Sequence, residues 1–145
     1  MNKPVAIAAV AVLFLTACTI TQTANPVSGI RNSAIVICVI EKSDVRAVFQ
    51  KELVAALERR DITSRLLPGG SPISACPVAL TYNAKWSWDF KPYMAWAEIV
   101  VYRDSARWGD ALYSAPRGGW ALTTRIYEST ESKVDTMIEQ LFPAP

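Results

Sequence analysis

The pattern of apolar and polar positions divides the chain into stretches with different periods. Val5–Leu15 is apolar without a break, behind a short start whose charge comes from Lys3 and the amino terminus. A membrane-spanning helix needs about 20 apolar residues, so this shorter run fits the h-region of a secretory signal. Residues 19–33 are rich in Thr, Asn, Ser and Gly, contain Pro26, and read as a flexible tether. Ser33–Glu41 then carries Ile35 through Ile40 with no polar break. Apolar residues on both faces predict a central strand covered on both sides.

From Lys42 to Asp61 the period becomes helical, with Val45, Val48, Phe49, Leu53, Ala56 and Leu57 on one side and Ser43 or Asp44 placed to cap the start. Ile62–Leu67 predicts a second strand and Pro68-Gly69-Gly70-Ser71-Pro72 a turn, which completes a βαβ unit. Between Val78 and Trp88 the period drops to two: Leu80, Tyr82, Ala84 and Trp86 alternate with Ala79, Thr81, Asn83, Lys85 and Ser87. This marks a strand with one buried and one wet face. Asp89–Tyr93 predicts a turn, Met94–Arg103 a return strand and Trp108–Ala115 a third strand. Pro116–Thr124 reads as a loop. A last helix is expected from about Thr130 to Phe142, its apolar face formed by Val134, Met137, Ile138, Leu141 and Phe142 and its end set by Pro143. The order predicts a two-layer α+β fold: a βαβ unit, a three-strand antiparallel meander and a C-terminal helix, with two helices on one mixed sheet.

Composition narrows the chemistry. The 145 residues include no histidine and carry a net charge of +2, with both signs interspersed. Lack of histidine removes the commonest general base and metal ligand. A nucleic-acid binder needs a basic stripe that neutralises several phosphates, and none is visible. Gly118-Gly119 lacks a phosphate-loop context, and no cofactor site is expected. The acidic residues Asp89, Glu98, Asp104 and Asp110 have no spacing that specifies a catalytic pair.

The apolar run ends in Leu15-Thr16-Ala17-Cys18, which resembles the lipobox of bacterial lipoproteins. The resemblance implies cleavage before Cys18, a diacylglycerol on its thiol and an acyl chain on its freed amino group. Two or three acyl chains give a stable anchor where one alone is marginal. Thr19 rather than Asp follows the lipid site, which by the same resemblance implies the outer membrane, facing the periplasm. The expected divisions are residues 1–17 as signal peptide, 18–32 as lipidated N-terminus and tether, and 33–145 as a single periplasmic domain.

Cys38 and Cys76 are the cysteines left after Cys18. In an oxidising compartment leftover cysteines tend to pair, and neighbouring strands bring these two together. The alternative is two separate buried thiols. Trp86, Trp88, Trp96, Trp108 and Trp120 read mainly as core filling, with Trp108 and Trp120 the expected exposed exceptions. Those two, with Arg107 and Arg117, form a candidate ligand-binding set.

Val39-Ile40-Glu41 beside Cys38, Cys76-Pro77, the run Tyr82–Asp89, the run Tyr93–Ile99 and the terminal Leu141-Phe142-Pro143 together resemble a family of short, uncharacterised proteobacterial lipoproteins. That family has no established activity, so the resemblance implies fold and location only. The expectation is a non-enzymatic envelope lipoprotein that binds or scaffolds a protein partner. The alternative is a glycan or small-ligand binder using exposed Trp and Arg residues.

Overall fold

The computed structural model describes residues 20–116 and 124–145. Residues 1–17, read as a signal peptide, and Cys18, Arg117 and Trp120 lie outside the described residues. In chain order the elements are β1 (Thr21–Asn25), β2 (Ile37–Ile40), α1 (Ala47–Glu58), β3 (Ser64–Leu67), β4 (Val78–Asp89), β5 (Lys91–Arg103), β6 (Ala106–Ser114) and α2 (Thr130–Leu141), with short 3₁₀ turns at Ile73–Ala75 and Thr124–Tyr127.

One mixed sheet holds all six strands in the order β1-β6-β5-β4-β2-β3. β2 pairs in parallel with β3 and β4, as a βαβ unit requires. β4, β5, β6 and β1 are antiparallel neighbours. Every residue of β2 is buried, in keeping with its unbroken apolar run.

Alternation sets the inner face. Val78, Leu80, Tyr82 and Ala84 of β4 meet Ala97, Ile99 and Val101 of β5 and Ala111 and Tyr113 of β6 in one core. Phe49, Leu53, Ala56 and Leu57 of α1 and Val134, Met137, Ile138 and Leu141 of α2 close that core from the helix side. Phe49 stacks on Tyr82 at 5.4 Å between ring centroids and meets Trp86 edge-on at 6.5 Å. Tyr82 Oη donates to Gln50 Oε1 at 2.8 Å and accepts from the Lys42 N–H at 3.2 Å, so its polar end is satisfied.

Several boundaries differ from the sequence expectations. Residues 21–25, read as tether, form an edge strand along β6. Thr-Gln-Thr-Ala-Asn shows almost no hydrophobic pattern because its stability comes from ladder hydrogen bonds rather than from buried side chains. Val27 and Ile30 are each 1% exposed and fix the segment that follows, and the Val27 N–H donates to the Leu141 carbonyl at 2.7 Å. The first helix starts at Ala47, later than expected, and neither Ser43 nor Asp44 caps it: Arg46 is the N-cap and makes no side-chain cap bond. The expected Asp89–Tyr93 turn contracts to Phe90 alone, with Asp89 and Lys91 paired across it. Pro92 is tolerated in β5 because the ladder with β6 runs from Trp96 to Arg103, so no rung with β6 needs an N–H at position 92.

The two helices are joined by charge at the far end of the inner layer. Arg60, with only 9% of its side chain exposed, donates to Asp135 at 2.8 Å and to Glu139 at 2.8 Å. Arg59 also reaches Asp135, and Arg31 reaches Glu139, both at 2.8 Å. Hydrogen bonds from Arg60 and then Arg59 hold the Asp135 carboxyl well below the usual carboxylate range. At the near end Lys133 is 3% exposed and donates to the Ile126 carbonyl at 2.5 Å and the Met94 carbonyl at 3.4 Å. Burial lowers its pKa from 10.5 to about 8, against a smaller raising effect of the Glu128 carboxylate.

Candidate docking surface

The pleat that buries Leu80, Ile99 and Tyr113 turns their neighbours to the other side of the sheet. By register this outer face carries Cys38 and Ile40 of β2; Ala79, Thr81, Asn83 and Lys85 of β4; and Trp96, Glu98, Val100 and Tyr102 of β5. Arg107, Asp110, Leu112 and Ser114 of β6 and Thr21, Thr23 and Asn25 of β1 continue it. Among the described residues both α-helices lie on the inner face, and the outer face meets only the segment around the Ile73–Ala75 turn near β2 and β4.

That segment is tied down by a disulfide. Cys38 on β2 and Cys76, just before β4, are joined across a sequence separation of 38. The Arg65 guanidinium lies 3.5 Å from Cys38 Sγ and 3.4 Å from Cys76 Sγ. Between this strap and the meander runs a groove of about 340 Å³ whose lining includes Glu41, Lys42, Ser71, Asn83 and Glu98.

Further along the outer face Arg107 donates to Glu98 at 3.2 Å and to Asp110 at 3.3 Å, and Asn25 donates to Asp110 at 3.0 Å. These bonds, Asp110 first and then Glu98, raise the Arg107 pKa further above its ordinary value. The cluster ties β1, β5 and β6 across the face and is flanked by the half-buried Trp96, Tyr102 and Leu112. This part of the face therefore mixes aromatic, aliphatic and paired charged groups.

At the end of the sheet near the β4–β5 turn a second groove, about 500 Å³, is lined by Lys85, Trp86, Tyr93, Trp96 and Ser114 among others. A third, about 380 Å³, lies at the opposite end between Ala34–Val36, Pro77, Val78, Arg103 and Asp104. Among the described residues no group of three or more His, Cys, Asp or Glu is placed to hold a metal ion. The carboxyls with displaced pKa values, Asp135 and Glu139, are both lowered by arginine, the direction that suits ion pairing and not general-acid work.

The candidate ligand set is not gathered into one site by its described members. Arg107 belongs to the outer-face cluster, whereas Trp108 sits at a register shift in β6, packs against the core and lies under Arg103 at 4.8 Å. Neither lines any of the three grooves. Among the described residues the exposed tryptophan is Trp88, 70% exposed, with Phe90 beside it at 91%. Alternation reads Trp88 as core, and no sequence signal marks it as exposed.

No protein-family model and no curated protein matches the chain. Solved structures do. PelC from Paraburkholderia phytofirmans, determined as a dodecamer, is 14% identical, with a TM-score of 0.54 over 85% of this chain and 98% of that one. A methionine-substituted variant of the same PelC, also a dodecamer, is 14% identical over 85% of this chain and 92% of its own, with a TM-score of 0.49. The first of these likenesses shows that the chain has the fold of PelC.

Proposed function

We propose that the chain is a lipid-anchored protein of the bacterial envelope whose domain docks onto protein, further copies of itself first, and performs no catalysis. The observation that carries the docking claim is the outer face: a six-stranded sheet with both α-helices on one side and an aromatic, partly charged surface on the other. Fold likeness to a protein solved as a dodecamer supports a second copy as the occupant. The lipobox-like Leu15-Thr16-Ala17-Cys18 supports anchoring through Cys18, with the outer membrane as its address. The Cys38–Cys76 bond suits the oxidising periplasm.

A photo-crosslinking amino acid at Leu112, activated in intact envelopes, tests the docking claim. Adducts containing a second copy of this chain are the expected result, and a product that stays monomeric would overturn it. Glycan binding is a second reading, favoured by the groove beside Trp86, Tyr93, Trp96 and Lys85 rather than by Trp108. Titration with soluble peptidoglycan fragments, read by tryptophan fluorescence, separates it: a saturable change lost in Trp96→Ala supports the glycan, and a flat titration removes it.

A further inference from the structure

We infer that the tip of the β4–β5 hairpin is a second membrane contact, inserting Trp88 and Phe90 among the headgroups of the bilayer that holds Cys18. The inference rests on the lipid-anchored reading above and adds to it an orientation for the domain.

The tip is apolar where folding does not require it. Trp88 and Phe90 are 70% and 91% exposed, while the other exposed large hydrophobic residues stay at 43–44%. Phe90 also occupies the left-handed region at φ 57°, where Gly or Asn is the natural choice and a bulky side chain costs backbone energy. A residue that is both strained and unpacked adds nothing to the folded state, which points to a contact outside the chain.

Register fixes where the tip points. Thr21 pairs with Ser114, Ser114 with Trp96, and Trp96 with Lys85. The described chain therefore begins at the same end of the sheet as the hairpin. From Lys85 to Asp89 the hairpin runs on past this rung by about 13 Å. From Thr21 back to Cys18 the chain reaches at most about 11 Å when fully extended. A lipid on Cys18 brings the membrane surface to this end of the sheet, within the depth that the tip already spans.

The chemistry around the tip fits a phospholipid surface. Lys85 and Lys91 are exposed, and Lys91 lies 4.7 Å over the Tyr127 ring, whose hydroxyl donates to the Asp89 carbonyl at 3.0 Å. Arg46 lies 4.8 Å over Trp86 behind them. Tryptophan and tyrosine with flanking lysines are suited to the layer between acyl chains and water, and the cations meet anionic headgroups. Asp89 is the acid at the tip itself, so a fully cationic surface is not required. With the tip down, the strands stand on the bilayer and the outer face turns sideways, toward any copy anchored beside it.

The test uses the full lipidated chain in vesicles of phosphatidylethanolamine and phosphatidylglycerol with bromine on the acyl chains. The expected result is quenching of tryptophan fluorescence that is largely lost in Trp88→Phe, a change that removes the reporter and keeps an aromatic ring. Phe90→Asn, which suits φ 57°, is expected to keep the fold and weaken the quenching. Mass measurement of the N-terminal fragment reads the anchor separately. Lipid on Cys18 with equal quenching in wild type and Trp88→Phe overturns the tip contact alone, and a Cys18 without lipid overturns both. A blue-shifted Trp88 emission that bromine does not quench assigns the tip to a protein partner and also overturns the proposal.

Discussion

The two faces of the sheet share the same strands and the same alternation, yet they are built to different rules. Inward, Leu80, Ile99, Val101 and Tyr113 are sealed by α1 and α2, and Lys133, the one charged residue buried there among the described residues, is held by two carbonyls. Outward, Thr81, Glu98, Tyr102 and Arg107 stay partly open, and the order they have comes from a disulfide strap and surface ion pairs. The inner face is committed to folding. The outer face has complementary side chains held in fixed positions with no layer of the described residues over most of them, which is what a docking surface requires.

Substitution of adjacent residues in β4 breaks this comparison most sharply. Leu80→Ala is expected to cost about 2–5 kcal/mol, because it empties a site with 0% exposure. Thr81→Ala, one residue along and facing out, is expected to stay within about 0.5 kcal/mol. Urea denaturation of the two variants measures the difference, and equal losses would mean that the faces are not distinct. Next in size is the strap. Reducing the Cys38–Cys76 bond is expected to destabilise the fold by up to about 4 kcal/mol in the chain-entropy model, read as a shift of the urea midpoint.

Lys133 tests the inner layer by pH. Its folded pKa of about 8 lies below the unfolded 10.5, so between those values the unfolded state binds more protons and stability rises with pH. Relative to Lys133→Met, the wild type is expected to gain up to about 3 kcal/mol across that window, at 1.36 kcal/mol per unit. A flat difference between the two pH profiles would contradict the placement of this lysine. Asp135→Ala removes the main partner of the nearly buried Arg60 and is expected to cost about 1–3 kcal/mol, less than for a fully buried pair because Asp135 is 38% exposed. Its lowered pKa also predicts that this contribution is present above the usual carboxylate range and is lost as the pH falls through the folded value. Smallest in stability is Arg107→Ala, expected within about 0.5 kcal/mol because the guanidinium is exposed. Its effect should appear in self-association instead, measured by sedimentation.

Much of this architecture is legible in the residues. Alternation assigns the buried face of β4 from Leu80 to Ala84, though Ala79 on the other face is buried as well, and the unbroken run before Glu41 identifies the central strand. The apolar face of α2 is buried in full, from Val134 to Phe142. What periodicity misses depends on hydrogen bonds and on distant neighbours. β1 is polar and owes its place to the free edge of β6, which no local pattern reveals. The outer-face cluster joins Glu98 to Arg107 and Asp110 across β5 and β6, and its members are unremarkable until the register is known. Trp88 reads as core by alternation, since sequence does not show where a covering helix ends.

The most direct measurement of the docking account is the native mass of the full chain, extracted from membranes in detergent and compared with Leu112→Arg. A discrete assembly of several copies is expected for the wild type and a monomer for the variant, with both chains folded by circular dichroism. A wild-type chain that remains monomeric across the accessible concentration range would contradict it.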